Sequence, residues 1–435
     1  MMPRFAVYLL LMFLSVGGTG LCTSYLFASS PASHSVEHLL DDAANGSLDR
    51  HNLLQATLIA GGCDPVERQV HQRRFDELCR RIEAAGLPVG DPRARARTLY
   101  ERLHREILVG QYIKDCSDVP VALHQGDFNC VTATILFHCL AARFDLNVVA
   151  VETPGHVYSR VVSGDSSFDV QTTCPHWFEI LDAPAKLAEA SSKIPGMYPV
   201  GANVTPRVLP ESALAAMVFY NHGVDLLRKG RFTDAIEANQ RALRLDPHSL
   251  TARGNLLAAM NNYAVTLCDK GRMAAAVAMV TGGLAIDPQH AALRSNDLFV
   301  HGTYIEALCR ARRWDEARDV LEQARRRRPM EPWFHVSQVG VYRREARELL
   351  ARENLAGALA VFGKARHRFP GSTRVLEAES TTLNQRALTL ARQGRFAEAL
   401  SLLDAALVRQ PRCRMLQQSR RMTAQQQMTQ ASVRN

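Results

Sequence analysis

Pro247, Pro288, Pro329, Pro370 and Pro411 stand 41 residues apart. The same step links Leu226, Leu267, Leu308, Leu349 and Leu390, and also Ala235, Ala276, Ala317, Ala358 and Ala399. It links a column of small residues too: Ala242, Gly283, Ala324, Ala365 and Ala406. Five registers with no slip mean tandem copies of one supersecondary unit. A single copy cannot bury its own apolar face, so the copies must stack.

Each unit reads as a long helix, a short turn, and a helix of about four turns that ends at the proline. The turns are LRKGRF, CDKGRM, CRARRW, LARENL and ARQGRF. The alanine columns allow two helices to approach closely, and a larger side chain there would overpack the joint. Ala317 is such a position, whereas Arg318 beside it reads as solvent-facing. The pattern, seen best in GRFTDAIEANQRALRLDP, resembles tetratricopeptide repeats. Their usual period is about 34 residues, so this chain adds about two turns to each first helix. The resemblance implies an all-α solenoid whose concave face takes a protein or peptide partner. Asn221 and Asn262 hold equivalent places and are candidates to clamp a peptide backbone. The polar tail, 414–435, reads as a solvating cap running into disorder.

The N-terminal half carries a different signal. Cys130 lies in GDFNCVTATILFHCLA, His156 in TPGHVYSRV and Asp169 in SSFDVQTT. Cys130 opens an apolar run, Val131 to Ala142, long enough for a buried helix. A thiol at a helix N-terminus meets the positive end of the macrodipole, which favours thiolate. HVYSRVV and SFDVQT read as two strands joined at Gly164 and Asp165. A thiol, an imidazole and a carboxylate in that setting fit nucleophile, base and orienting acid.

Over roughly Leu108 to Thr173, the motifs FNCVTAT, PGHVYSRV and FDVQTT resemble the transglutaminase-like superfamily, with its papain-like core. The resemblance implies Cys130 as nucleophile, His156 as general base and Asp169 as orienting acid. The backbone N–H of Cys130 would serve as oxyanion donor, with Gln125 or Asn129 as side-chain donors. The implied chemistry is thiol-dependent acyl transfer on peptide or amide substrates, and it needs no cofactor. The alternative is a non-catalytic interaction scaffold with a degenerate transglutaminase-like domain. A metal site from Cys116, His124, Cys130, His138 and Cys139 lacks the short paired cysteine spacing of structural zinc, so no metal is expected.

Composition sets the remaining bounds. The chain has 435 residues, 47% hydrophobic and 22% charged, and needs no disulfide scaffold. The net charge of +9 is spread along helices, and no nucleic-acid motif accompanies it. The densest run, Arg325 to Arg328, reads as the solvated end of a helix. Arg4 precedes FAVYLLLMFLSV, and no charge follows until Glu37. That is a secretory signal or membrane-anchor pattern, which implies export and possible membrane attachment. Ten cysteines sit awkwardly with an oxidising compartment.

The expected organisation is a signal or anchor (1–34), a helical subdomain (35–107) and a transglutaminase-like core (108–181). A connector (182–210), five helix-pair repeats (211–413) and the tail (414–435) follow. The fold class is an α+β papain/transglutaminase-like core followed by an all-α tetratricopeptide-like solenoid.

Overall fold

Four helix starts in the N-terminal half follow directly from capping chemistry. Asn52, Asp64, Asp91 and Asn129 each turn a side-chain oxygen onto the orphan N–H groups of the helix behind it, and Pro65 and Pro92 occupy first-turn positions. In the computed structural model, residues 31–183 and 205–434 are described, with positions 186 and 189. The expected signal or anchor up to residue 30 and most of the connector lie outside the described residues. No helix among the described residues is long and apolar enough to cross a membrane.

The chain divides into two compact units. The first runs to His222 and includes Arg241–Ser249; the second comprises Gly223–Gln240 and the chain from Leu250.

In the first unit, α1 (Pro31–Asp42), α2 (Leu53–Ala60), α3 (Pro65–Ala85), α4 (Pro92–Glu106) and α5 (Val119–Gln125) precede α6 (Cys130–Arg143). Between α1 and α2 the chain turns at Gly46, whose φ of 93° suits only glycine without strain. The buried Asp42 carboxylate accepts the backbone N–H of Arg50 and of His51 and meets Nδ1 of His51 at 2.9 Å, which fixes the bend. Every residue from Val131 to Ala141 is buried, because α2, α4, α5 and two strands all pack on α6.

The sheet is larger than the two strands expected. β1 (Val148–Thr153), β2 (His156–Ser163), β3 (Ser166–Val170) and β4 (Arg207–Leu209) lie in the order β3-β2-β1-β4, with antiparallel neighbours throughout. β2 and β3 meet at a two-residue turn led by Gly164 at φ 58°. Continuous apolar residues in VVAV, with no alternation, hid β1 from a period-2 reading. The short helix α7 (Trp177–Leu181) follows the hairpin, and α8 (Glu211–Arg228) and α9 (Phe232–Leu245) lead onward.

The second unit continues with α10 (Leu250–Asp269), α11 (Met273–Ile286), α12 (Ala291–Arg310), α13 (Trp314–Arg327) and α14 (Pro332–Ala351). α15 (Leu355–Arg368), α16 (Thr373–Arg392), α17 (Phe396–Arg409) and α18 (Arg414–Arg434) complete it. Consecutive helices pack together, and first helices of successive pairs touch: α10 on α12, α12 on α14, α14 on α16. Ala276, Ala317, Ala358 and Ala399 are fully buried at the joints, as the small-residue column requires. The turns repeat one backbone device. Gly230, Gly271, Arg312, Glu353 and Gly394, again 41 apart, all have positive φ. Two of the five therefore hold a side-chain-bearing residue in the left-handed region, at 59° and 62°.

Three sequence readings are corrected here. The tail forms helix α18 rather than disorder, and Leu416 inserts fully into the last core cluster. Arg318 is not solvent-facing. It pairs with Asp315 and Glu345, and its guanidinium lies 4.7 Å from the centre of the Tyr342 ring. The run Arg325 to Arg328 is only in part a solvated helix end: Arg326 and Arg327 are exposed in the last turn of α13, whereas Arg328 is largely covered and pairs with the buried Asp297. Behind Arg328 lies a buried polar column that the apolar pattern did not show: Asp297, Gln338 and Glu379, one in each of three successive first helices. Each has its own partner, in Arg328, Glu322 and Arg366.

Candidate functional site

Asn129 builds the base of the site. Its Oδ1 caps α6 by accepting the N–H of Val131 and of Thr132. Its Nδ2 donates to the Lys114 carbonyl and to Ser117 Oγ, at 3.0 and 2.9 Å. Ser117 Oγ in turn accepts from Asn221 Nδ2 at 2.8 Å. Both amides are committed to structure. Asn129 is therefore no oxyanion donor, and Asn221 is no free peptide clamp. Gln125 ends α5 exposed, and its amide makes no hydrogen bond among the described residues.

Cys130 follows as the first residue of α6. The Tyr112 hydroxyl and the backbone N–H of Val157 lie near its thiol. Burial pushes the thiol pKa up, against the opposing pull of those groups and the N–H groups of Cys130 and Val131. The helix terminus thus acts in the expected direction but does not win. Burial and the nearby Cys130 raise Tyr112 in turn to about 12.

His156 opens β2 and is buried. Its Nε2 lies 2.8 Å from Oε1 of Gln171, and burial lowers its pKa against that bond. Among the described residues, no hydrogen bond joins the imidazole to the thiol.

Asp169 does not fill the orienting place expected of it. Its carboxylate takes both Nε and Nη2 of Arg160, at 2.6 and 3.1 Å. The reason is register: β3 sets Asp169 directly across from Arg160. Residues two apart share a face of a strand, so position 171 carries that face onward to His156. Counting by two along FDVQTT would have put Gln171 beside Asp169 as a candidate. Nothing in the sequence signalled Tyr112 or Ser117.

The chemistry of the arrangement follows. A thiolate–imidazolium pair needs a thiol pKa pulled down and an imidazole pKa held up. Here burial moves both the other way. Gln171 fixes the ring orientation but brings no charge to stabilise an imidazolium.

Among the described residues, no group of three His, Cys, Asp or Glu side chains is placed to hold a metal ion. His124 meets His71, with 2.9 Å between ring nitrogens, and His138 is buried inside the unit. The nine described cysteines are all free thiols. In the second unit, Asn262 stands exposed on α10, in contact with Asn261.

Comparison with known proteins bears on the helix pairs. A family model described as tetratricopeptide repeat matches residues 220–291 and 384–417. Those two segments are tetratricopeptide repeats. The matched segments lie outside 108–181. No curated protein matches the chain. Among solved structures, a tetratricopeptide repeat protein from Parabacteroides merdae is 15% identical, with 50% of this chain and 75% of that chain covered and a TM-score of 0.19. The TPR domain of P58(IPK) is 13% identical over 92% of this chain and 95% of its own, with a TM-score of 0.19. A monomeric IFIT1 mutant with Gppp-AAAA is 11% identical over 90% and 76%, with a TM-score of 0.21. Identities and TM-scores this low add nothing about either unit.

Proposed function

We propose that this protein is an interaction scaffold whose tetratricopeptide array holds a protein partner, and that the thiol site of its first unit is a degenerate, unactivated one. The observation that supports the second clause is that, among the described residues, no charged group supports ionisation of the would-be nucleophile and its base. Burial raises the Cys130 thiol and lowers His156, and the group on the imidazole is an amide. Tetratricopeptide arrays supply the first clause, since stacked helix pairs present an extended surface for a partner chain.

A photo-crosslinking residue at Asn262 tests the reading in cells that make the protein. A discrete protein adduct is expected from the native chain and equally from Cys130→Ala. Rapid Cys130-dependent cleavage of peptide or amide substrates, with no adduct, would sink the proposal.

One observation favours a second reading, acyl transfer through Cys130: the Gln171 amide orients the His156 ring as a third catalytic group would. Trapping of an acyl adduct on Cys130 by mass spectrometry decides between them.

A further inference from the structure

The arginines of the array are mostly matched to acids, and three that are not share one place. On α14, Arg344 is held by Glu306 and the Glu348 carboxylate by Arg312 and Arg352. Arg343 and Arg347, four residues apart on the same helix, are exposed and have no carboxylate partner among the described residues. Arg374 on the adjoining α16 is likewise exposed and unpaired. Arg343 and Arg374 line one cleft of about 260 Å³, with Val336, Gly340 and Thr381. Arg343 and Arg347 line a second of about 640 Å³ that shares Gly340. Glu377 is the one unmatched acid in the lining, so positive charge remains in excess.

Gly340 has no packing reason to be glycine. It sits mid-helix, and a Cβ there would meet nothing within 4 Å. Glycine in a helix interior is less stable than alanine. What it does provide is an open floor joining the two clefts. Val336 adds an apolar surface, 40% exposed, and the lining holds no aromatic ring on which a base would stack.

We infer that this double cleft binds an acidic peptide segment of the partner, its carboxylates on Arg343, Arg347 and Arg374 and an apolar side chain over Val336 and Gly340. The inference rests on the scaffold reading and names the chemistry of what the array holds. Paired guanidinium–carboxylate contacts give such a site its specificity, and uncompensated charge steers the encounter.

The test uses the full chain and a short fluorescein-labelled peptide of Asp and Glu with one Leu, followed by anisotropy. Binding is expected, and it weakens as salt rises. The triple reversal Arg343→Glu, Arg347→Glu, Arg374→Glu should lose on the order of 100-fold in affinity, and Gly340→Leu, which fills the floor without changing charge, on the order of 10-fold. Arg392→Glu, the charge change of a single reversal placed elsewhere on α16, should lose little compared with Arg347→Glu alone. Circular dichroism checks each fold; if the triple variant unfolds, Arg347→Glu and Gly340→Leu decide alone. Equal binding of the Asn/Gln version of the peptide would overturn the proposal. So would unchanged binding by the triple variant, or tighter binding of a single-stranded oligonucleotide of the same charge. Failure to bind the peptide while the Asn262 crosslink persists removes this site and leaves the scaffold standing. Loss of the crosslink from the native chain removes the scaffold reading itself.

Discussion

Nε2 of His156 lies 2.8 Å from Oε1 of Gln171, while Asp169, two residues earlier, is bound to Arg160. An amide thus stands where a charge would be needed. Gln171→Glu puts a carboxylate there at nearly constant shape. It should raise the His156 pKa, since an opposite charge at hydrogen-bond distance favours imidazolium. Labelling of Cys130 at neutral pH, read by mass spectrometry peptide by peptide, should be slow in the native chain and faster in Gln171→Glu. Fast labelling of the native chain that depends on His156 would contradict the unactivated thiol.

Asn129 carries a load out of proportion to one side chain. Asn129→Ala removes the α6 cap, worth roughly 1–2 kcal/mol, and takes one donor each from the Lys114 carbonyl and from Ser117, which keeps Asn221. Asn129→Asp keeps the cap but loses the donors, so it should fall between native and alanine in a chemical melt. If the aspartate variant is no better than alanine, the cap is not the larger part.

Asp42 gives the first unit an acid limit. Burial opposes its charge, but hydrogen bonds from His51 and Arg50 outweigh that and hold its pKa at about 2, against an unperturbed 3.8. A depressed carboxylate stabilises the fold above its unfolded value, and that part is lost as pH falls from about 4 toward 2. Asp42→Ala should cost roughly 1–3 kcal/mol at neutral pH by stranding its donors. It should also flatten the stability profile over that acid range. A profile unchanged by the substitution would refute the assignment.

The array turns offer a gain. Arg312 holds φ 59° at a position where glycine serves in three other repeats. Arg312→Gly should relieve about 1 kcal/mol of left-handed strain, offset in part by the loss of its pair with Glu348. A rise in Tm is expected, and a clear fall would show that the ion pair outweighs the strain.

Ala317 and Arg318 stand side by side, and both are structural. Ala317→Leu should cost roughly 1–3 kcal/mol by overpacking. Arg318→Ala should also destabilise, by roughly 1–2 kcal/mol, because it strands Glu345, a largely buried carboxylate, and uncovers Tyr342. Full tolerance of the arginine change in a thermal melt would return it to the surface role its sequence context implies.

The sequence by itself determined what is local and repeated. The period, the small-residue columns and the helix ends of the array are short-range demands written five times over. The capped start of α6 and the Gly164 turn likewise need only neighbouring residues. Only the tertiary structure decided the rest. Strand register, not spacing, sent Asp169 to Arg160 and Gln171 to His156. Desolvation by elements far along the chain set the thiol and the imidazole against ionisation, over the pull of the helix terminus. The amides of Asn129 and Asn221 read as free ligand donors until the fold placed Ser117 between them. Such outcomes depend on what the whole chain brings alongside a residue, and no local pattern encodes that.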